Sequence, residues 1–173
     1  MNGDASGGAE EMVEVLDGAG RVLALLPARE AHRQSLPHKA VLVLFFDRRH
    51  RLLLKKRPPD CASYPDRWDL PGRGHVQPGE AATDAARRLA AQEYPDQGLA
   101  PVAQGVLSPT PGTGFETLHL FRCPAPAQEP LGERWERLPV GQEELAALAH
   151  DFRELLTPDV VHALEQKILF PGE

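Results

Sequence analysis

The sequence predicts an α/β domain, either an α+β arrangement or a three-layer α/β/α sandwich around a mixed β-sheet. Three observations carry this. Short apolar runs recur through the first third of the chain and again after residue 100, a single Ala-rich helix lies between them, and two helical segments follow. The length, 173 residues, fits a single domain. A content of 42% apolar and 25% charged residues is enough to bury a core.

Residues 1–11 are small and polar without periodicity and read as a flexible tail, with the domain spanning 12–173. Met12 to Leu16 and Arg21 to Leu26 flank the turn signal Asp17-Gly18-Ala19-Gly20 and predict a hairpin. Residues 28–37 read as a polar connection. Ala40 to Phe46 is an unbroken apolar run that suits a strand buried on both faces. Asp47 to His50 turns into a second strand, Arg51 to Arg57. A loop over 58–67 leads to the Gly-rich segment Pro71 to Gly79. The strongest helix runs from Glu80 to Tyr94: it is Ala-rich, opens with acids and stops before Pro95. Further strands are expected at 101–107, 115–123 and 134–138, and helices at 143–152 and, after Thr157-Pro158, at 159–169.

Composition narrows the function. With 19 basic and 25 acidic side chains the net charge is −6, which gives no bulk attraction to a nucleic-acid polymer or an anionic membrane. The longest apolar run falls far short of the roughly 20 residues that cross a bilayer. The first residues show neither a basic start nor an apolar stretch. Cys61 and Cys123 are too few for a disulfide framework and read as free thiols, so a cytoplasmic setting is expected.

A Gly-rich loop feeding a helix offers backbone N–H groups and the positive end of a helix dipole, a site suited to phosphate. Glycines in such a connection equally serve turn geometry alone. The spacing adds to this: Gly74, then five residues, Glu80, then seven residues, Arg88, and finally Glu93. This pattern resembles the Nudix box, here covering Gly74 to Asp96. Trp68-Asp69-Leu70-Pro71-Gly72 resembles the family's lead-in, as does the strand Leu52 to Arg57, and the likeness spans about Leu36 to Val140. It implies a compact α/β/α sandwich and Mg²⁺- or Mn²⁺-dependent cleavage of a diphosphate linked to another moiety.

In the family, three box carboxylates at i, i+3 and i+4 share one helical face and hold the hard cation. Here those positions are Leu89, Gln92 and Glu93, and the family's closing Gly is Pro95. The resemblance leaves Glu93 as the best catalytic and metal-binding candidate, with the Gln92 amide oxygen and the Arg73 carbonyl as auxiliaries. Gly74, Glu80 and Arg88 carry the structural part of the box, the Glu80–Arg88 pair ordering loop against helix. Asp84 and Arg88, four apart, offer an alternative surface pair. Arg57 and Arg73 are candidates for bidentate phosphate contacts, with the Gly72–Gly79 loop, Gly72 and Gly74 among it, as cradle. Both arginines also read as solvated basic strand ends.

Isopentenyl diphosphate isomerase, one branch of the superfamily, keeps the same sparse box. The chain is similar to it in further places: Leu36-Pro37-His38-Lys39-Ala40 before the buried strand, His32 upstream, Gly74-His75 at the box start, and Glu116 near the distal acids. That likeness implies a metal held by such His and Glu residues, His75 and Glu116 among them, a set that suits a Mn²⁺- or Zn²⁺-like ion. His75 also reads as a hydrogen-bonded filler. The isomerase Cys before Gly-His is Arg73, and its second distal acid is Leu118, or His119 with a one-residue slip. Trp68 and Trp135 read as core or pocket walls, and Cys61 has no catalytic role.

Three functions follow from the resemblance. The first is a hydrolase with a degenerate box, acting on a small-molecule diphosphate, with no assigned general base. The second is a catalytically silent domain that binds a nucleotide-like ligand or a protein partner. The third is the isomerase. No nucleic-acid polymer and no membrane is expected as partner, and a homodimer is left open.

Overall fold

The computed structural model describes residues 10–127 and 136–170. Among them nine strands build one sheet: β1 (Met12–Leu16), β2 (Val22–Pro27), β3 (His38–Phe46), β4 (Leu52–Lys56), β5 (Trp68–Asp69), β6 (Gly72–His75), β7 (Val102–Leu107), β8 (Glu116–Pro124) and β9 (Arg137–Val140). Four α-helices accompany it: α1 (Ala28–Arg33), α2 (Ala82–Glu93), α3 (Gln142–Asp151) and α4 (Pro158–Glu165). β3 is the hub, parallel to β8, antiparallel to β6, and joined to β1 and β4 at its two ends. The sheet is therefore mixed.

The apolar run of β3 separates two helical layers. Ala40, Leu42, Leu44 and Phe46 pack with Leu118, Leu120, Leu145, Val160 and Val161, toward α3 and α4. Val41, Val43 and Phe45 pack with Ala85, Ala86, Leu89 and Ala90 of α2 and with Phe121 and Cys123. Alternation along one strand thus builds both cores, each buried Leu or Phe contributing about 1.5–3 kcal/mol. The result is the α/β/α sandwich.

Two tight turns share one construction. In Asp17 to Arg21 and again in Asp47 to Arg51, the carboxylate accepts the backbone N–H groups two and four residues on and pairs with the closing guanidinium. The third residue past each Asp has positive φ, Gly20 at 78° and His50 at 60°.

Several expectations need correction. The polar connection over 28–37 contains α1. The Gly-rich loop does not begin until residue 76, because Gly72 to His75 form β6 on the flank of β3. Gly72 is required there, since a Cβ would collide with the Val43 carbonyl oxygen. α2 starts at Ala82 instead of Glu80, after the left-handed Gly79 at φ 73°. Thr157 holds the N-cap position of α4, but its side chain makes no cap hydrogen bond; its hydroxyl donates to Asp69 Oδ1 at 2.8 Å. α4 ends at Glu165, short of Leu169, where Lys167 turns left-handed at φ 57° and Ile168 N–H closes on the Ala163 carbonyl. The last predicted strand begins at Arg137; Arg134 and Trp135 lie outside the described residues, as does the predicted tail apart from Glu10 and Glu11. No described helix is long and apolar enough to cross a membrane.

Candidate metal centre

Four elements bring titratable side chains together at the start of β3. α1 supplies His32, β3 supplies His38, β6 ends in His75, and β8 opens with Glu116, which lies opposite His38 in the parallel register. One ligand atom from each lies within 4.8 Å of every other. His32 Nε2, His38 Nε2 and His75 Nε2 stand 3.7, 3.7 and 3.4 Å from Glu116 Oε1.

The tautomer of His38 follows from its neighbours. Its Nδ1 is 2.8 Å from the Leu36 carbonyl, which can only accept, so Nδ1 carries a proton and the ring is held with Nε2 toward Glu116. That Nε2 is fully buried and has no hydrogen-bond partner. A buried ring nitrogen without a partner is costly, and a cation between it and the carboxylate would satisfy both. The donor set of three imidazoles and one carboxylate therefore fits a divalent transition-type ion.

The electrostatics point the same way. Burial pushes the Glu116 carboxyl up, but the facing His38 and His75 imidazoles and the Arg73 charge outweigh it and hold the group well below the usual carboxylate range. Burial pushes His75 down, yet contacts with Glu11 and Glu116 raise it to about 9. His32 is lowered, by burial first and by the neighbouring His38 second. Glu116 is the anionic centre around which the other three groups arrange.

Arg73 flanks this centre. Its Nη2 lies 2.6 Å from Glu116 Oε2 and its Nη1 3.5 Å from Asp159 Oδ2 on α4. It also lines a cavity of about 430 Å³ whose walls include Leu42, Leu70, Leu118, Asp159 and His162. Because side chains alternate along β6, Arg73 and His75 project to the α4 side while Gly74 faces α2.

The box residues lie elsewhere. Glu80 Oε1 accepts from Arg88 Nε at 2.9 Å, and Arg88 Nη2 reaches the His75 carbonyl at 2.9 Å, so the box pair does tie loop to helix. Asp84 pairs with Arg87 instead of Arg88. Loop amides expected to cradle phosphate are already engaged: Gln77 N–H donates to Glu80 and Gly79 N–H to Glu14. Leu89 belongs to the α2 core and Gln92 is exposed. Glu93 is buried at the end of α2 between two cations, Arg137 Nη1 at 2.6 Å and Lys55 Nζ at 3.1 Å. Arg57 is bound to Asp69, to the Ser63 carbonyl and to Cys61 Sγ. His119 sits beside Val41, on the face of β8 opposite to Glu116. Trp68 is half-buried against the α3–α4 core, within cation–π range of Lys56.

Sequence reasoning named all four members of the cluster but not Arg137, Lys55 or Glu11. No local pattern marks these three: each acts on a residue 38 or more positions away.

The sandwich, the looped box and the helix packed on β3 define a class. The NUDIX domain model matches residues 36–159, and the chain belongs to the Nudix family. The isopentenyl-diphosphate Delta-isomerase of Nocardia farcinica is 39% identical over 82 residues, 47% of each chain. Nudix hydrolase 3 of Arabidopsis thaliana is 34% identical over 87 residues, 49% of this chain and 11% of that protein. The match thus spans less than half the length of these curated relatives. In fold, the crystal structure of DR0079 from Deinococcus radiodurans has a TM-score of 0.70 over 90% of this chain and 98% of that one, at 21% identity.

Proposed function

We propose that this chain is a divalent-metal-dependent hydrolase of a small-molecule diphosphate linked to another moiety, with its ion held by His32, His38, His75 and Glu116 in place of the lost box carboxylates. The supporting observation is the convergence of three imidazole Nε2 atoms on one carboxylate oxygen, with the buried His38 Nε2 left unpartnered. Three nitrogen donors favour Mn²⁺ or a Zn²⁺-like ion over Mg²⁺. When bound, such an ion polarises a phosphoryl oxygen and acidifies water.

The chain's own residues supply the rest. Glu116 offers Oε1 to the centre while Arg73 engages Oε2, so the carboxylate is oriented. Arg73 has a loose second partner in Asp159, and exchanging it for a phosphate oxygen gives a charge-assisted contact beside the ion. The cavity beyond Arg73 has room for the organic group. In the reaction the water oxygen bonds to phosphorus and gives a proton to solvent, the bridging P–O bond breaks, and the departing phosphate oxygen takes a proton from solvent. The net charge of −6 and the two free cysteines support a soluble, cytoplasmic enzyme acting on small molecules.

A silent binding domain is the second reading, favoured by the burial of Leu89 and the engagement of Glu93 by two cations. Alkene isomerisation needs a positioned acid–base pair, and Arg73 and Leu118 stand where the resemblance requires a thiol and a carboxylate.

The test is phosphate release over a panel of nucleoside and alkyl diphosphates with Mn²⁺, Mg²⁺ or Zn²⁺, for wild type and Glu116→Gln. Metal-dependent release that the variant loses supports the hydrolase. Tight metal uptake without release on any substrate supports the silent domain. An acid-labile allylic product from isopentenyl diphosphate would replace both with the isomerase.

A further inference from the structure

Of the three imidazoles, two have their orientation fixed through Nδ1. His38 is held by the Leu36 carbonyl, a backbone atom. His75 is held by a side chain: its Nδ1 lies 3.1 Å from Glu11 Oε2. A carboxylate on the outer nitrogen of a metal-binding imidazole fixes the tautomer, locks the ring and makes the inner nitrogen a better donor.

Glu11 is itself anchored. It directly precedes β1, and its carbonyl accepts from Ala28 N–H at 2.8 Å, at the start of α1. The neighbouring register is continuous, Met12 facing Pro27. The same backbone junction therefore leads to Glu11 on one side and to His32 on the other. Both residues precede the segment 36–159 matched by the family model. Glu10, one position earlier, pairs with Arg29 on the surface at 2.8 Å.

We infer that Glu11 is a positioning residue for the metal centre, holding His75 so that its Nε2 faces Glu116 and the ion. The inference rests on the metal-site reading above but assigns a role that neither the box nor the isomerase resemblance contains. It makes the N-terminal hairpin part of the site.

The experiment is calorimetric titration of the full chain, stripped of metal, with Mn²⁺ and Zn²⁺. Wild type is compared with Glu11→Gln, Glu11→Ala, Glu11→Asp and Glu10→Gln, alongside the visible spectrum of each protein loaded with Co²⁺. The expected result is a loss of about 10–100-fold in affinity for Gln and Ala at position 11, partial rescue by Asp, and wild-type binding for Glu10→Gln. The Co²⁺ bands of Glu11→Ala should shift, a change that a purely structural role at the protein surface does not produce. Wild-type affinity and spectra in all Glu11 variants would overturn the role of Glu11 while leaving the metal site intact. Absence of metal uptake by the wild type would overturn both.

Discussion

Leu89 closes directly onto Gly74: a Cβ added to the glycine would lie 2.7 Å from Leu89 Cδ2. The helix position that the family fills with a metal-binding carboxylate is here a plug in the apolar layer between α2 and β6, 7% exposed. Leu89→Glu should therefore cost stability without restoring a catalytic acid, because it buries an unpaired charge. A loss of about 3 kcal/mol or more in urea unfolding is expected. Gln92→Glu, at an exposed position, should stay within about 0.5 kcal/mol of wild type. Gly74→Ala should cost about 1–3 kcal/mol through overpacking. If the Leu89→Glu, Gln92→Glu double variant stays fully stable and gains hydrolysis, the burial argument fails.

That contact also shows where sequence reading stops. The apolar run of β3 predicts a strand buried on both faces because alternation and β-branching are local properties. The box spacing places α2 for the same reason. The glycines before the helix read as a phosphate cradle because a Gly-rich lead-in to a helix is a local pattern. Their actual requirement comes from Val43 and Leu89, 29 and 15 positions away from Gly72 and Gly74, and distance in sequence hides it. α1 is one turn and a half long, too short for a periodic signal, yet it delivers His32. The four metal-centre residues were visible only through the isomerase likeness, since no spacing rule joins positions 32, 38, 75 and 116. Glu11 was hidden by its polar, featureless flank.

The Glu80–Arg88 pair predicts an acid-limb signature. Arg88 donates to Glu80 and lowers its carboxyl below the ordinary value, with the Gln77 N–H adding to the effect. A carboxyl lowered in the folded state releases its proton earlier than in the unfolded chain, so the pair stabilises the fold above the unfolded value, about pH 4.3. The contribution disappears as pH falls through that value to the lower folded one. Glu80→Gln should thus be less stable than wild type at neutral pH, and the two should converge as pH falls below about 4. A constant difference between them from neutral to acid pH would show that charge pairing is not the cause.

The two thiols should react at very different rates. Burial pushes the Cys123 thiol up to about 11 and encloses it in the α2 core, whereas Cys61 is half-exposed in its loop. Only the thiolate is nucleophilic, so native Cys123 presents almost none at pH 8. Alkylation with iodoacetamide followed by mass spectrometry should find one label on the native protein, at Cys61, and a second only after denaturation. Rapid native labelling of Cys123 would mean that the layer between α2 and the sheet opens.

Glu93 decides between two locations for the ion. In the family the last box acid helps to hold metal; here Arg137 Nη1 and Lys55 Nζ stand at 2.6 and 3.1 Å from its carboxylate, and Arg137 also covers the Tyr94 ring. A buried carboxylate between two cations is already neutralised, and a divalent ion placed there would meet positive charge from both sides. Removing it instead deletes the anion that Arg137, 4% exposed, and Lys55 share. Breaking a buried pair in this way costs about 3–5 kcal/mol. Glu93→Gln should therefore unfold at distinctly lower urea concentration, yet bind Mn²⁺ with the stoichiometry and affinity of the wild type at a temperature where both are folded. Glu116→Gln breaks the buried pair with Arg73 as well, and should lose metal uptake along with stability. If Glu93→Gln loses its ion while retaining wild-type stability, the metal belongs to the box helix and the His–Glu cluster is a polar network without a cation.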